Sequence, residues 1–549
     1  CAVVSAGASL WERYVGVGVP TGWPASAGDL VDGAWSRRAA PSARGLQMHR
    51  LVLRDFAQTS DVSLRVSCGA EDTCAVYAGG ERVGLPESAG PWTAEVIVPP
   101  QAFAQNGSFI LATEYNGVRV EMEPGRLPFA CAVKAPRLEA RLVRGPYIQL
   151  PRSRAALVRW REAEPAMREA PTVSFGESPF ALNREARGRW ASSLGDAEVE
   201  ITGLEPGNVY YFAVGGERGI GCADTRLHTP PSSSRRNGTV HVAAAGDFGC
   251  GCEAQRKVVA AHHRLVASGG AAKPDMFLAL GDVAYPRATE QHLTRRLFQP
   301  FTRILRSAPV FAVLGNHDVN EGWLEPNASR PFLDAFTFPA AAECGGSPSG
   351  TELFYSWDWE GAHFVAIDGE LSLHDSQHRM LSWLEEDLSA ARLSGAQWLV
   401  GLYHHAPYSA GSRNSDFWPD QTLLRELVNP ILERAGADLV LSGHSHGYER
   451  THALSGHYGN SSTFVPALHR RPTLMSGGVE VLQKASGLNE YSGTYYVICS
   501  GGALARRAPR AHPAVSRSAR TAGMMLFEFD ARRLKVRHMN SEGDIDDEF

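Results

Sequence analysis

The sequence predicts an α/β domain in its C-terminal part, preceded by two β-rich segments. After residue 239, wholly apolar runs such as "DMFLALG" and "DLVLSG" alternate with helix-like stretches such as "CEAQRKVVAAHHRLVAS". This alternation is typical of a sheet covered by helices on both faces. We therefore expect a β-rich domain of unknown role at 1–136, a second β domain at 137–231, a linker at 232–238, the α/β domain at 239–540 and an acidic tail at 541–549.

Both N-terminal segments carry short β-type runs separated by turn residues. "VSLRVSC" and "WTAEVIVPP" belong to the first segment, whose opening 40 or so residues are rich in Gly, Ala, Ser and Pro and are expected to be irregular. In the second segment, "VEITGL" and "VYYFAV" flank the turn "EPGN". This stretch is similar to a fibronectin type III domain. Another kind of β-sandwich would serve the same structural or spacer role.

Composition excludes some classes of function. The chain has 549 residues, 44% of them hydrophobic and 21% charged, with a net charge of -5. Nucleic-acid-binding proteins usually carry a basic excess, so we expect no nucleic acid as a structural partner. No apolar stretch is long enough to cross a bilayer.

The cysteines favour an oxidising compartment. The chain begins at Cys1, and eight further cysteines are enough for four disulfides, with Cys68 and Cys74 placed to close a small loop. An exported protein fits this number. A mature chain that begins with cysteine resembles a bacterial lipoprotein, which predicts a membrane tether through a lipidated Cys1; the alternative is a fragment boundary. The expected location is periplasmic, cell-surface or extracellular.

Polar motifs follow five of the apolar runs. They are "GDFG" with Asp247, "GDVAY" with Asp282 and Tyr285, "GNHD" with Asn316 and His317, "HH" with His404 and His405, and "GHSH" with His444 and His446. In α/β sheets, ligands bind beyond the carboxyl ends of the strands, so the five motifs are expected at one edge. In extended backbone the side chains of His444 and His446 point to the same side. The glycines permit the sharp turns that such loops need.

In this order, the motifs resemble the signature of the metallophosphoesterases. The tyrosine of "GDVAY", the extension "GHSHGYER" and the preceding fibronectin-like segment are similar to the purple acid phosphatase branch. The resemblance covers residues 138 to about 538. It implies a four-layer α/β/β/α sandwich. The strand patterns of the two N-terminal segments add two β-sandwich-like domains before it. The resemblance also implies a hydrolase that cleaves phosphate monoesters by in-line attack of a metal-bound hydroxide, at a centre of Fe(III) and a divalent Zn, Fe or Mn ion.

The resemblance also implies a role for each motif residue. One metal site would use Asp247, Asp282, Tyr285 and His446, and the other would use Asp282, Asn316, His404 and His444. A phenolate suits Fe(III), whereas imidazole and amide oxygen suit a divalent ion. His317, together with the bridging Asp282, is the expected catalytic residue, as a general acid toward the leaving group. Asn316, His317 and His405 are the expected substrate contacts.

Other interpretations stay open at this point. The same centre would serve a phosphodiesterase or a nucleotide pyrophosphatase, because the ligands do not set the specificity for one small phosphorylated substrate over another. A non-catalytic surface or adhesion protein is a further alternative. Arg413 and Asn414 fall in a region that could contact substrate. Cys250 and Cys252 lie close to Asp247, and we interpret them as disulfide partners, with Cys222 or Cys344 as candidates, rather than metal ligands.

Overall fold

The computed structural model describes the chain from residue 142 onward, with gaps at 164, 166–167, 179–181, 216–219, 233–237, 320–329, 490–491 and 503–511. In residues 1–141 it describes only the backbone of the strands, and in residues 220–224 it also describes only the backbone. The chain forms two compact units. One contains 1–142, 171–187 and 210–226, and the other contains 143–170, 188–209 and 227–549. The predicted linker falls mostly outside the described residues.

The first part of the chain is β-rich. Its strands are β1 (Ala8–Val15), β2 (Gln47–Leu53), β3 (Val62–Cys68), β4 (Val76–Ala78), β5 (Glu81–Val83), β6 (Trp92–Val98), β7 (Ser108–Thr113), β8 (Arg119–Met122) and β9 (Cys131–Ala132). They form a five-stranded sheet in the order β1-β2-β7-β4-β5 and a three-stranded sheet β6-β3-β8. Strand β1 pairs antiparallel with β2, so part of the opening segment is strand where the sequence predicted irregular chain.

The next segment is also built of strands. They are β10 (Leu142–Arg152), β11 (Ala155–Glu162), β12 (Thr172–Gly176), β13 (Arg184–Arg187), β14 (Arg189–Trp190), β15 (Asp196–Thr202), β16 (Val209–Val214) and β17 (Ile220–His228). One sheet has the order β10-β11-β15-β14 and another has the order β13-β12-β16-β17-β9. Because the segment is divided between the two compact units, its assignment as a fibronectin type III domain stays a prediction.

From residue 240 strands and helices alternate. The strands are β18 (Val240–Ala245), β19 (Met276–Ala279), β20 (Val310–Ala312), β21 (Tyr355–Trp359), β22 (Ala362–Ala366), β23 (Trp398–Leu402), β24 (Leu439–Ser442), β25 (Tyr448–Thr451), β26 (Leu474–Ser476), β27 (Val479–Val481), β28 (Tyr495–Cys499), β29 (Val515–Ala519), β30 (Gly523–Phe529), β31 (Leu534–Asn540) and β32 (Ile545–Glu548). The helices are α1 (Glu253–Ala267), α2 (Glu290–His292), α3 (Gln299–Leu305), α4 (Pro331–Ala335), α5 (Arg379–Leu393), α6 (Pro419–Leu423), α7 (Asn429–Ala435) and α8 (Pro466–His469). Short π-helical segments follow α2 and α6 at Leu293–Phe298 and Leu424–Val428, and 3-10 turns lie at Ser372–His374 and Ser461–Thr463.

Two sheets form the centre of this α/β domain. The first has the order β20-β19-β18-β30-β31-β32, and the second has the order β21-β22-β23-β24-β28-β25-β29. Strands β18, β19 and β20 are parallel to one another, as are β22, β23, β24 and β28. The apolar runs "DMFLALG" and "DLVLSG" of the sequence correspond to β19 and β24 of these sheets.

The two sheets face each other through an aromatic core. The rings of Phe311 in β20 and Trp357 in β21 are stacked with centroids 4.0 Å apart. Helix α1 places Val258 in the same core, whereas helix α5 packs Leu384 in a second core with Val440 of β24. The layers therefore follow the α/β/β/α order that the resemblance implied, and the predicted fold class is confirmed.

The C-terminal segment differs from the solvated tail that its acidic residues predicted. Strand β32 pairs antiparallel with β31. Asp547 is buried and accepts hydrogen bonds from the Tyr448 hydroxyl and from Nε of Arg450, both at 2.7 Å. The tail is therefore part of the sheet, and its carboxylate pairs with the buried Arg450 cation together with that of Glu480. Among the described residues, no helix is both long and apolar enough to cross a bilayer.

A second buried charge lies in β22. His363 is fully buried, and its two ring nitrogens lie 2.8 Å from Asp358 Oδ1 and 2.8 Å from Asp387 Oδ2. Burial alone would lower the pKa of His363, but the hydrogen bonds to the two carboxylates outweigh it and raise the pKa to about 9. The imidazolium therefore ties helix α5 to the second sheet.

Candidate metal centre

The predicted site residues lie on loops that leave the carboxyl ends of five strands. Asp247 follows β18, Asp282 and Tyr285 follow β19, Asn316 and His317 follow β20, His404 and His405 follow β23, and His444 and His446 follow β24. Three of these strands belong to the first sheet and two to the second. The side chains meet because both sheets end at the same edge of the sandwich.

Backbone strain is concentrated at this edge. Asp247, Asp282 and His444 have φ values of 49°, 52° and 66°, in the left-handed region that side-chain-bearing residues rarely adopt. Neighbouring glycines allow the loops to approach. A Cβ on Gly315 would lie 2.3 Å from Asp282 Oδ1, and one on Gly443 would lie 2.5 Å from Asp247 Oδ2. The glycines of the motifs therefore provide space for the carboxylates.

One group of donors contains Tyr285, Asp247 and His446. The Tyr285 hydroxyl is 3.1 Å from Asp247 Oδ1 and 3.3 Å from His446 Nε2, and these last two atoms are 3.5 Å apart. Two donors that bind one ion at about 2.1 Å lie roughly 3.0–3.4 Å from each other, depending on coordination geometry. The three atoms therefore fit a single metal ion.

The second group contains His404, Asp282, His444 and Asn316. His404 Nε2 is 3.5 Å from Asp282 Oδ2, and His444 Nδ1 is 3.0 Å from Asn316 Oδ1. His404 donates its Nδ1 proton to the Leu280 carbonyl oxygen at 2.8 Å, which directs its Nε2 atom at the Asp282 carboxylate. The Nε2 atoms of His404 and His444 are both buried without a hydrogen-bond partner. Such nitrogens are suited to bind a metal ion.

The two groups are joined through the aspartates. Donor atoms of Asp247, Asp282 and His404 all lie within 4.8 Å of one another, and all three residues are buried. The structure thus brings together the seven predicted ligands. Their assignment as ligands stays a prediction.

Burial and charge set the ionisation of these groups. Burial, helped by the Asp247 carboxylate, raises the pKa of Tyr285 far above its usual range. Burial lowers the pKa of His444, so this imidazole is neutral and offers a lone pair. Burial would also lower the pKa of His404, but the Asp282 carboxylate outweighs it and raises the pKa to about 10. The carboxylates therefore hold a positive charge at the centre of the site, where a metal cation fits.

The two remaining predicted residues lie on opposite sides of this centre. The backbone N–H of His317 donates to Asp282 Oδ1 at 2.9 Å, and its ring lies beside the Tyr285 ring with centroids 4.6 Å apart. His317 is half-buried and therefore reachable by a leaving group. His405 is buried, with its ring 4.2 Å from that of His444. Their catalytic and substrate-binding roles stay predictions.

Sequence reasoning missed a carboxylate at the same edge. Glu370 lies four residues after the end of β22, and its Oε1 is 3.3 Å from His405 Nδ1. Burial raises the pKa of Glu370 to about 8. The signal was present in the sequence, because "HFVAI" is followed by "DGE" just as the other apolar runs are followed by their motifs.

The cysteines near the site pair differently from the expectation. Cys250 and Cys252 form a disulfide with each other, so neither is joined to Cys222 or Cys344. Cys344 and Cys499 are free and buried. The expectation of four disulfides among eight cysteines is therefore wrong, because these two thiols are enclosed in the core without a partner.

Comparisons with known proteins match this part of the chain to phosphoesterases. The family model described as calcineurin-like phosphoesterase matches residues 240–448. "Purple acid phosphatase 15" of Arabidopsis thaliana is 25% identical over 322 residues, which cover 51% of this chain and 57% of the relative. "Probable inactive purple acid phosphatase 9" of the same plant is 24% identical over 287 residues, covering 47% of this chain and 43% of the relative. The chain thus spans about half the length of these relatives.

A solved structure agrees with the fold. Purple acid phosphatase PPD1 from yellow lupin (Lupinus luteus) seeds matches with a TM-score of 0.53 and 14% identity, over 92% of each chain. At this identity the likeness concerns the fold alone. The family match and the strand-end donors thus identify residues 240–448 as a metallophosphoesterase domain, similar to those of the purple acid phosphatases.

Proposed function

We propose that this protein is a hydrolase of phosphate monoesters with a binuclear centre of Fe(III) and a divalent Zn, Fe or Mn ion. The observation that carries the proposal is the convergence of seven donor side chains, two of which present buried ring nitrogens without a hydrogen-bond partner. When bound, the ions would supply Lewis-acid activation of water and of the phosphoryl oxygens. The coarser assignment, a phosphoesterase, rests on the family match and the relatives.

Tyr285 supports the trivalent ion. Its hydroxyl lies beside two carboxylates, which together with burial oppose loss of the phenolic proton. A cation of high charge is needed to displace that proton, and phenolate and carboxylate oxygens are the hard donors that Fe(III) prefers. His404 and His444, with the Asn316 amide oxygen, would hold the divalent ion.

The chain's own residues would then orient the substrate and move the proton. Asp282 is fixed by the His317 backbone N–H, so its carboxylate is held between the two donor groups. The His317 ring, at the rim, would donate a proton to the departing alkoxide. The buried His405 would hold the inner wall of the pocket through its packing on His444.

The proposal favours catalysis over a scaffold role, although one relative carries the word inactive in its name. An inert domain has no need to keep seven donor positions filled. Localisation outside the cytoplasm is part of the proposal, and the Cys250–Cys252 disulfide supports it, because such bonds persist in oxidising compartments. Fractionation of the source cells would test that point.

The first experiment combines metal analysis, a visible spectrum and two substrates on one preparation. We expect about two metal ions per chain, iron among them, a broad tyrosinate-to-Fe(III) band, and faster turnover of 4-nitrophenyl phosphate than of bis(4-nitrophenyl) phosphate. A colourless, active protein would refute the Fe(III) assignment. Faster turnover of the diester would favour a phosphodiesterase, and a protein that no metal activates would favour the scaffold.

A further inference from the structure

A loop at residues 409–418 follows the strand-end histidines and lies against the metal centre. The backbone N–H of His446 donates to Ser412 Oγ at 2.9 Å. At the other end of the loop, the ring of Trp418 meets the ring of His444 edge-on, with centroids 6.0 Å apart. We call this segment the rim loop. Both contacts are to predicted ligands, so the rim loop borders the candidate metal centre.

The rim loop is held in one conformation by its own hydrogen bonds. The N–H of Ser415 donates to the Ser409 carbonyl oxygen at 2.8 Å, and Nη1 of the buried Arg425 donates to the Ser415 carbonyl oxygen at 3.0 Å. Asn414 Oδ1 accepts from the Asp416 N–H at 2.9 Å. Asn414 therefore helps to shape the loop, and its role as a substrate contact stays a prediction.

Arg413 differs from the other polar residues of the rim loop. Its guanidinium carbon lies 4.5 Å from the centroid of the Trp418 ring. Within the part of the chain that the structure describes, this guanidinium makes no hydrogen bond or ion pair to a protein group, so its N–H donors are available. Stacking on an aromatic ring fixes the plane of an arginine without using those donors. Trp418 thus fixes the Arg413 guanidinium while leaving its N–H groups able to bind an anion.

Two acidic side chains at this edge of the site pair with histidines. Glu370 contacts His405, and Asp420 Oδ1 lies 3.0 Å from His374 Nε2.

We infer that Arg413, held by Trp418, is a specificity-determining residue that binds the second negative charge of a phosphate monoester dianion. The inference rests on the proposed function. A guanidinium matches two phosphate oxygens with parallel hydrogen bonds. A diester has one charge fewer, and its second organic group would occupy the position of those oxygens. Arg413 therefore favours the doubly charged monoester over the diester.

The test compares Arg413→Gln and Arg413→Lys with the unchanged protein. At pH 7.5 we expect Arg413→Gln to lower kcat/KM for 4-nitrophenyl phosphate by at least about tenfold, mostly through KM, because charge-assisted hydrogen bonds are lost. The effect on bis(4-nitrophenyl) phosphate should stay below about twofold. The kcat/KM of Arg413→Lys should lie between those of the unchanged protein and Arg413→Gln, since lysine keeps the positive charge but cannot donate two parallel hydrogen bonds. Metal content must be unchanged.

A second readout is independent of turnover. Calorimetric binding of inorganic phosphate at pH 8 should weaken by about tenfold in Arg413→Gln. Arg184→Gln is the matched control. The guanidinium carbon of Arg184, in strand β13, also lies 4.5 Å from the centre of an aromatic ring, that of Phe175, but in a sheet outside the two central sheets of the α/β domain. This variant should change neither kcat/KM nor the affinity for phosphate. Equal losses on both substrates, or unchanged phosphate binding, would overturn the inference. If the unchanged protein is metal-loaded but hydrolyses neither substrate, the proposed function fails instead, and phosphate binding still decides whether Arg413 is an anion site.

Discussion

Replacing Gly315 by alanine tests whether the motif glycines exist to make room for the ligands. A Cβ at this position would lie 2.3 Å from Asp282 Oδ1 and 2.4 Å from the Asp282 backbone nitrogen. Real Cβ contacts essentially never fall below 3.0 Å. Because one of the clashing atoms belongs to the backbone, a rotation of the Asp282 side chain cannot relieve the contact.

The required displacement sets the size of the effect. Moving from 2.3 Å to between 3.0 and 3.4 Å shifts the two loops apart by 0.7 to 1.1 Å. Overpacking of this kind costs about 1–3 kcal/mol of stability. A shift of about 1 Å at a catalytic group costs roughly 100-fold in rate. We therefore expect Gly315→Ala to fold, to lose bound metal, and to lose about two orders of magnitude in kcat/KM.

The assay measures metal per chain, kcat/KM for 4-nitrophenyl phosphate and the urea midpoint on the same preparations. Gly369→Ala is the matched control, since its Cβ would meet His405 Nδ1 at 3.4 Å and Leu424 Cδ1 at 3.5 Å, which are ordinary contacts. The control should stay within about threefold of the unchanged protein. If Gly315→Ala keeps its metal and its activity to the same extent, the steric reasoning is refuted.

Three further predictions address the metal, a buried charge and the C-terminal strand. Tyr285→Phe should retain the fold and lose the visible band, because the phenolate is the expected chromophoric ligand to Fe(III); a band that persists would assign the colour to another group. Because folding raises the pKa of His363 to about 9, its ion pairs stabilise the protein fully below pH 6.5, and this stabilisation is lost as the pH rises through about 9. The loss in unfolding free energy is up to about 3 kcal/mol. Urea unfolding between pH 6 and 10 should show this loss in the unchanged protein and not in His363→Gln, and parallel curves would contradict it. Asp547→Ala should cost about 1.5–3 kcal/mol of unfolding free energy, because it removes one of the two carboxylates that pair with the buried Arg450 cation, Glu480 being the other. Asp544→Ala, an exposed position in the same segment, is its control, and equal effects of the two would restore the solvated-tail interpretation.

The sequence by itself predicted the fold class and the positions of the candidate ligands. Buried strands between helices must be apolar along their whole length, so "VHVAAA" and "DLVLS" could be recognised without knowing their neighbours. Polar residues directly after such runs must lie at the carboxyl edge of a sheet, which is a local consequence of chain direction. Asp247, Asp282 and His444 were accessible to this reasoning because each lies within three residues of its strand end.

Contacts between distant segments were decided by the tertiary structure alone. The acidic C-terminal segment looked like a solvated tail, because nothing nearby in sequence shows that Asp547 meets Arg450, 97 residues away. Glu370 faces His405, and Arg413 stacks on Trp418 at the side of His444. These pairings depend on strand order and loop conformation, which local patterns do not encode.

The division has a physical basis. Metal ligands are carried by short loops on rigid strands, so a motif and its strand predict their place together. The rim loop is longer, and its conformation is set by hydrogen bonds such as those of Ser412, Asn414 and Arg425. The sequence thus predicted the donors of the candidate metal centre, whereas only the folded chain placed the Arg413 cation on Trp418 beside His444, because loops from several strands must first converge there.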